Sequence, residues 1–261
     1  MGKLRDKFKQ LRQKNQKAFI PYATFGFPTL ELSKDILFTL QAAGADIIEI
    51  GMPFSDPIAD GPTIQAASRI ALNQGANLEL LFDFLENYKK YFTIPLIIMS
   101  YYNPIYAWGI KRFFQRAKKV GLGGIIVPDL LPEEGKEFID MARRTDVDTV
   151  FFISPNTEER RFKIIDNASS GFIYYVSVYG VTGMRRSFDK DVLLRGSFIK
   201  SRIKNPLCIG FGISKSSQVK KFKQIFDGVI VGSALINEIN RIYHHKNFKD
   251  KLASFVRCLN K

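Results

Sequence analysis

The sequence contains only two cysteines and two histidines in 261 residues. Cys208 and Cys258 are far apart and have no metal-ligand spacing, and such scarcity of cysteine is typical of a reducing cytoplasm. His244 and His245 are adjacent and follow the last predicted strand. A metal-dependent aldolase or epimerase built on histidine ligands is therefore excluded, and no metal site is expected.

Long apolar segments are also missing. The amino terminus, "MGKLRDKFKQ", is charged from its third residue and so lacks the apolar region of a signal peptide. No apolar run approaches the length of a transmembrane helix. We therefore expect a soluble, cytoplasmic protein without a membrane partner.

Acidic residues are few relative to basic ones, with 25 Asp and Glu against 39 Lys and Arg and a formal net charge of +14. A strongly basic chain raises the question of a nucleic-acid partner. The basic residues are, however, spread over nearly every predicted helix, and none of these stretches resembles a nucleic-acid motif. The charge pattern favours a solvated outer surface, and we expect no nucleic-acid partner.

Short hydrophobic runs recur along the chain and alternate with amphipathic segments. Runs that are continuously apolar are typical of strands in a buried parallel sheet. Eight such runs, alternating with predicted helices, indicate a (β/α)₈ TIM barrel with an extra N-terminal helix, in one domain over residues 1–261. A doubly wound open sheet is the alternative. The runs are "AFIPYATFG", "DIIEIGMP", "PLIIMSY", "GGIIVPD", "TVFFISP", "GFIYYVS", "PLCIGFG" and "DGVIVGS".

A carboxylate interrupts the second of these runs. Period-2 alternation places Ile47, Glu49 and Gly51 on one face of the strand, with Ile48 and Ile50 on the other. Because the isoleucine pair suits the layer that faces the helices, Glu49 is predicted to point into the barrel. Burial raises the pKa of a carboxyl group, as a general acid or base near neutral pH requires. None of the eight runs supplies a Lys or Arg as a structural partner.

The loop "GMPFSDPIADGP" follows that strand and carries two more carboxylates. Asp60 precedes Gly61-Pro62, and the spacing fits a helix N-cap and a catalytic residue equally well. Asp56 precedes Pro57 and is interpreted as a turn residue or a surface contact. Asp129, at the end of the fourth run, is expected to serve a turn or a cap.

Glycines follow three of the late strands. Barrels often bind phosphate with the loops after the seventh and eighth strands and with the start of a short helix. Glycine allows backbone N–H groups to approach phosphate oxygens, and a helix start adds unpaired donors and the positive end of its dipole. The sequence therefore predicts a phosphorylated substrate. The residues are Gly180 and Gly183 in "SVYGVTG", Gly210 and Gly212 in "GFGIS", and Gly232 with Ser233 in "VGSA".

The predicted site lacks a lysine on a strand, which a Schiff-base aldolase requires. It also lacks a Ser/His/Asp arrangement. The remaining mechanism is acid–base catalysis by carboxylates, acting on a phosphorylated substrate. Cleavage of a carbon–carbon bond would then require the substrate to supply its own electron sink.

A set of motifs follows in fixed order along the chain: "PYATFGFP", "EIGMPFSDPIADGPTIQAA", "MSYYNPI", "IIVPDLLPEE", "YYVSVYGVTG", "GFGIS" and "VGSA". Through these motifs, and along almost its whole length, the chain resembles the tryptophan synthase α subunit family. The resemblance implies retro-aldol cleavage of indole-3-glycerol phosphate to indole and glyceraldehyde 3-phosphate. It also implies an α2β2 heterotetramer in which the β subunit, and not this chain, holds pyridoxal phosphate.

The resemblance also implies roles for individual residues. Glu49 would protonate C3 of the indole, Asp60 would stabilise the charge that develops on the indole N–H, and Thr182 would lie on the loop that closes over the site. Asp56 would contact the β subunit. The phosphate would be bound by Gly183, Phe211, Gly212, Gly232 and Ser233, and the indole pocket would be lined by Tyr22, Ile64, Tyr101 and Tyr174.

Two segments depart from the family pattern. "MRRSF" after "GVTG" is unusually basic, and "ISPNT" stands where "AP-T" is usual. The basic segment supports an alternative hypothesis, in which the chain is mainly an allosteric activator of a β subunit and has weak lyase activity of its own.

Overall fold

The structure is a computed structural model that describes residues 2–176, 185–210 and 212–261, with backbone only for 185–189. Eight parallel strands pair in chain order, and β1 closes the barrel against β8. The TIM-barrel prediction is therefore confirmed, and the open sheet is excluded. The strands are β1 Ala18–Thr24, β2 Ile48–Gly51, β3 Leu96–Met99, β4 Gly124–Ile126, β5 Asp148–Ile153, β6 Ile173–Val176, β7 Leu207–Gly210 and β8 Gly228–Val231.

Helices surround the barrel and fill the connections between strands. The described residues contain twelve α-helices and one 3₁₀ turn, Lys89–Tyr91. The α-helices are α1 Lys3–Gln13, α2 Leu30–Ala42, α3 Pro62–Asn73, α4 Leu78–Tyr88, α5 Tyr102–Trp108, α6 Ile110–Val120, α7 Lys136–Arg144, α8 Glu159–Ala168, α9 Arg185–Lys200, α10 Ser216–Phe222, α11 Ser233–Ile242 and α12 Phe248–Asn260.

Two apolar layers form the core. Inward side chains of the strands, such as Ile20 and Ile97, make one cluster inside the barrel. Outward side chains such as Ile48 and Ile50 pack against the helices in a larger cluster. This division matches the alternation read from the second strand, because Ile47 belongs to the inner cluster. That the chain is one domain over residues 1–261 stays a prediction.

The extra N-terminal helix closes the bottom of the barrel. Leu4, Phe8 and Leu11 of α1 lie in the inner cluster, and the rings of Phe8 and Phe172 pack edge to face at 5.8 Å. The buried carboxylate of Asp148 accepts a hydrogen bond of 3.1 Å from the Leu4 N–H at the start of α1. Since α1 fills one end, the opposite end of the barrel is left for a site.

Candidate active site

A cavity of about 330 Å³ opens at the carboxyl ends of the strands. Parallel strands of a barrel direct their last side chains and following loops to this end. Most of the predicted site residues that the structure describes meet here. They are Tyr22, Glu49, Asp60, Ile64, Tyr174, Gly212, Gly232 and Ser233.

Glu49 lies in the wall of this cavity. Its register partners are Tyr22 on β1 and Ile97 on β3, and only 1% of the residue is exposed. Its Oε2 atom has no hydrogen-bond partner among the described residues. Burial, and after it the negative charge of Asp60, raises the pKa of Glu49 to about 8. The inward orientation predicted from the sequence is confirmed.

Asp60 reaches the cavity from the loop between β2 and α3. The helix begins at Pro62 with Gly61 as its N-cap and without a side-chain cap. The capping interpretation of Asp60 is therefore wrong, because the residue lies one position too early. Burial raises the pKa of its carboxyl to about 6, and the hydrogen bond from Tyr101 opposes that rise.

Tyr101 stands behind Asp60, and it is not among the residues that line the cavity. Its hydroxyl accepts a 2.9 Å hydrogen bond from the Ala59 N–H and donates to the Asp60 carboxylate. Its ring packs against Phe54 with centroids 5.2 Å apart. One buried side chain thus fixes both the backbone and the carboxylate of this loop.

Tyr22 and Tyr174 fit into the wall because a glycine faces each ring. A Cβ atom on Gly51 would lie 2.0 Å from the Tyr22 hydroxyl oxygen, and one on Gly210 would lie 2.1 Å from that of Tyr174. Burial raises the pKa of both phenols well above the ordinary value. Both are therefore neutral near pH 7, and they form part of the cavity wall.

The predicted phosphate residues that are described lie together on one side of the cavity. Gly212 has a φ of +70°, and no atom lies within 4 Å of a Cβ built on it. Gly232 is the N-cap of α11 without a side-chain cap, and Ser233 is the first residue of that helix. The first N–H groups of a helix have no intrahelical partner, so they are available to an anion. Gly180, Thr182, Gly183 and Phe211 lie outside the described residues.

The other two predicted carboxylates lie away from the cavity. Asp129 accepts a 2.8 Å hydrogen bond from the Tyr102 N–H at the start of α5, which confirms a capping role. Asp56 is exposed and is hydrogen-bonded to the Ser55 hydroxyl. Beside it, Ile58 is 82% exposed. The tip of this loop is thus a surface feature with an apolar side chain.

Several cavity residues were not predicted from the sequence. Phe152 and Ser154 of the β5 segment line the cavity, and the Phe152 ring lies 5.1 Å from that of Tyr174. The period-2 argument that placed Glu49 also applies to "TVFFIS", and it would have found both. The remaining unpredicted wall residues are Ala59, Gly61, Met99, Pro128, Val176, Ile213 and Ile230.

Across residues 2–176, 185–210 and 212–261, no group of three or more His, Cys, Asp or Glu side chains is arranged to hold a metal ion. In the same part of the chain, every helix is too short or too polar to cross a membrane.

A family model and sequence relatives all point to the same protein family. A family model described as tryptophan synthase alpha chain matches residues 8–261. The tryptophan synthase alpha chain of Geotalea uraniireducens is 40% identical over 259 residues, which is 99% of this chain and 97% of the relative. That of Petrotoga mobilis is 41% identical over 248 residues, with 95% of each chain covered.

Solved structures agree with the sequence relatives. Tryptophan synthase subunit alpha from Legionella pneumophila superposes with a TM-score of 0.90 at 31% identity, covering 99% of this chain and 97% of the other. A chain from Pyrococcus furiosus, solved in work on mutual activation of its tryptophan synthase α2β2 complex, superposes with a TM-score of 0.84 at 38% identity, covering 93% and 97%. The chain belongs to the tryptophan synthase alpha chain family.

Proposed function

We propose that Glu49 and Asp60 carry out the acid–base steps by which this chain cleaves indole-3-glycerol phosphate. The family catalyses this lyase reaction of tryptophan biosynthesis. The observation that carries the assignment of the two residues is that they line one cavity with pKa values of about 8 and about 6. Near pH 7, Glu49 holds a proton and Asp60 is ionised. Glu49 can therefore act as the acid and Asp60 as the stabilising anion, and the different environments of the two carboxyl groups assign these roles.

Glu49 supplies the proton that starts the reaction. Transfer to C3 of the indole produces an indoleninium cation, in which the ring nitrogen withdraws electrons from the C3 side chain. The bond between C3 and the glycerol carbon then breaks, its electron pair returns to the ring, and the hydroxyl on that carbon becomes an aldehyde. The hydroxyl proton passes to the Glu49 carboxylate, which restores the acid. The substrate is its own electron sink, so the step needs no lysine or metal.

Asp60 stabilises the cation. Its carboxylate faces the same cavity, and the hydrogen bond from Tyr101 favours its ionised form. A fixed negative charge beside the indole N–H lowers the energy of the indoleninium more than that of the neutral substrate, which is how a preorganised charge accelerates a reaction.

The rest of the cavity fits the two ends of the substrate. Tyr22, Phe152 and Tyr174 provide apolar surfaces for the indole ring. Gly212, Gly232 and the start of α11 lie on the side where the phosphate would accept backbone N–H groups. We extend the phosphate contacts to Gly183 and Phe211, and loop closure to Thr182, as predictions from the sequence.

We further propose that the chain assembles with a β subunit, as the Pyrococcus furiosus protein does in its α2β2 complex. The exposed loop tip with Asp56 and Ile58 is directly connected to Asp60, so a partner bound there can influence the catalytic carboxylate. Pyridoxal phosphate is expected in that partner. A cytoplasmic location stays a prediction from the cysteine content.

Indole release from indole-3-glycerol phosphate by the purified chain tests the assignment. Glu49→Gln keeps the shape of the side chain and removes its proton donor, so we expect activity to fall by about 10³-fold or more. Asp56→Asn is the matched control, because it makes the same chemical change outside the cavity, in the loop that follows β2. Full activity of Glu49→Gln would overturn the proposal.

A further inference from the structure

A second cavity lies beneath helix α1, at the opposite end of the barrel from Glu49. Its volume is about 310 Å³, which is in the range of small-molecule sites. It is bordered by α1, by the segment leading into β3 and by the end of α6. Apolar and polar surface contribute about equally to its wall, and the apolar residues are Leu85, Phe92, Ile94, Leu96, Val120 and Leu122.

Three lysines give the polar part of this wall a net positive charge. Lys3, Lys7 and Lys89 line the cavity together with a single carboxylate, Asp6. The Lys7 ammonium forms a 3.2 Å ion pair with Asp46. Neither Lys3 nor Lys89 has a carboxylate within 4.0 Å in the part of the chain that the structure describes. Neither ammonium group therefore forms a direct ion pair, and the nearest negative charge that acts on Lys89 is that of Glu86.

Each of these two lysines forms a hydrogen bond that occupies only one of the donors of its ammonium group. The Lys3 ammonium donates to the Gly121 carbonyl, and that of Lys89 donates to the Lys119 carbonyl at 2.8 Å. Both contacts are with the negative end of α6. An ammonium group has three donors, so each of these exposed lysines keeps two, which are open to solvent or to a ligand.

The two lysines repel each other, and this repulsion contributes to the lowered pKa of Lys3. Burial, and after it the positive charge of Lys89, lowers the pKa of the Lys3 ammonium. The approach of Lys3 also depends on Gly121, where a Cβ atom would lie 2.6 Å from the Lys3 nitrogen. An anion between the two ammonium groups would neutralise their repulsion.

We propose that the cavity beneath α1 binds a small organic anion with an apolar, aromatic-sized body, held by Lys3 and Lys89. The apolar wall contacts the body of the ligand, and the ammonium groups form charge-assisted hydrogen bonds with its anionic group. A ligand bound there joins α1 to β3 and α6. The site is separate from the cavity of Glu49 and does not depend on the function proposed for it.

The test uses 8-anilinonaphthalene-1-sulfonate, an aromatic anion whose fluorescence rises in apolar sites, titrated into the full chain. Ser233→Glu serves as the background in which a carboxylate repels anions from the upper cavity. In this background we expect binding to persist. We expect Lys3→Met combined with Lys89→Met to weaken it about tenfold or more.

Two further variants make the result specific. Lys111→Met with Lys118→Met removes the same charge from exposed positions of α6 outside the cavity, and it should leave the affinity unchanged. Gln10→Glu places a carboxylate in the cavity wall without removing a lysine contact, and it should weaken binding. Circular dichroism checks that each variant folds. Equal affinity in the Lys3/Lys89 variant and its control, or complete loss of binding in Ser233→Glu, would overturn the proposal.

Discussion

Asp60 faces Glu49 across one cavity, and its negative charge raises the pKa of the Glu49 carboxyl. Burial is the larger cause of that rise, and no counter-charge among the described residues opposes it. The pair therefore holds one proton near neutral pH. The predictions that follow test this relationship and the packing that supports it.

The two carboxylates set the pH dependence of kcat/KM for indole release. Activity is expected to fall below an apparent pKa near 6, where Asp60 becomes protonated, and above one near 8, where Glu49 loses its proton. The profile is therefore bell-shaped, with a maximum at about pH 7. Steady-state assays from pH 5 to pH 9 check it. A rate that rises steadily from pH 7 to pH 9 would show that Glu49 does not act as the acid.

Tyr101→Phe tests whether the hydrogen bond from the Tyr101 hydroxyl keeps the Asp60 carboxylate ionised. The variant loses the hydroxyl that favours the ionised carboxylate, so the pKa of Asp60 should rise and the acid limb of the profile should move to higher pH. Loss of a hydrogen bond to a charged group predicts a decrease of roughly tenfold in kcat/KM. Tyr106→Phe, on an exposed tyrosine of α5, is the control. An unchanged acid limb in Tyr101→Phe would contradict the positioning role.

The raised pKa of Glu49 also predicts that the folded protein loses stability as the pH rises from acidic values to about 8. Because its pKa is raised from 4.5 to about 8 on folding, the folded state keeps a proton that the unfolded chain releases. The free energy of unfolding should therefore decrease as pH rises from 4.5 to 8, by roughly 5 kcal/mol for this group. Glu49→Gln removes the effect.

Urea unfolding at pH 5 and pH 8.5 measures the difference between the two proteins. Glu49→Gln should gain stability relative to the wild type as the pH rises, since other titrating groups are common to both. Parallel curves for the two proteins across this range would mean that Glu49 ionises with an ordinary pKa.

Gly51→Ala tests the packing of the cavity wall. The new Cβ atom would overlap the Tyr22 ring, 2.0 Å from its hydroxyl oxygen, so a loss of about 1 to 3 kcal/mol of stability is expected. Tyr22→Leu removes the ring and should recover part of that loss in the double variant. Gly61→Ala is the control, because its Cβ atom meets nothing within 4 Å. Additive effects of Gly51→Ala and Tyr22→Leu in urea unfolding would rule out the overlap.

The barrel and Glu49 were predictable because both depend on local pattern. Continuous apolar runs indicated buried parallel strands, and alternation within one run indicated the inward face of β2. The position of Asp60 was not settled in this way. Gly61 and Pro62 start α3 one residue later than a capping Asp60 requires, and spacing alone did not distinguish these cases.

Contacts between distant segments account for what the sequence did not reveal. Tyr101 was assigned to the ring pocket, yet its hydroxyl reaches the loop of Ala59 and Asp60, because the end of β3 lies beside the end of β2. Asp148, at the start of β5, accepts a hydrogen bond from the first turn of α1, although the two segments are far apart in sequence. Residue types and local spacing do not encode such pairings, which follow from strand register and from the closure of the barrel.

The most direct test is a titration of the Glu49 carboxyl by ¹³C NMR, with Glu49→Gln used to assign the signal. We predict an apparent pKa near 8, and a lower one in Asp60→Asn, where the neighbouring negative charge is absent. Asp56→Asn should leave the value unchanged. A Glu49 carboxyl that titrates near 4.5 in the folded protein would contradict the role of Glu49 as the acid.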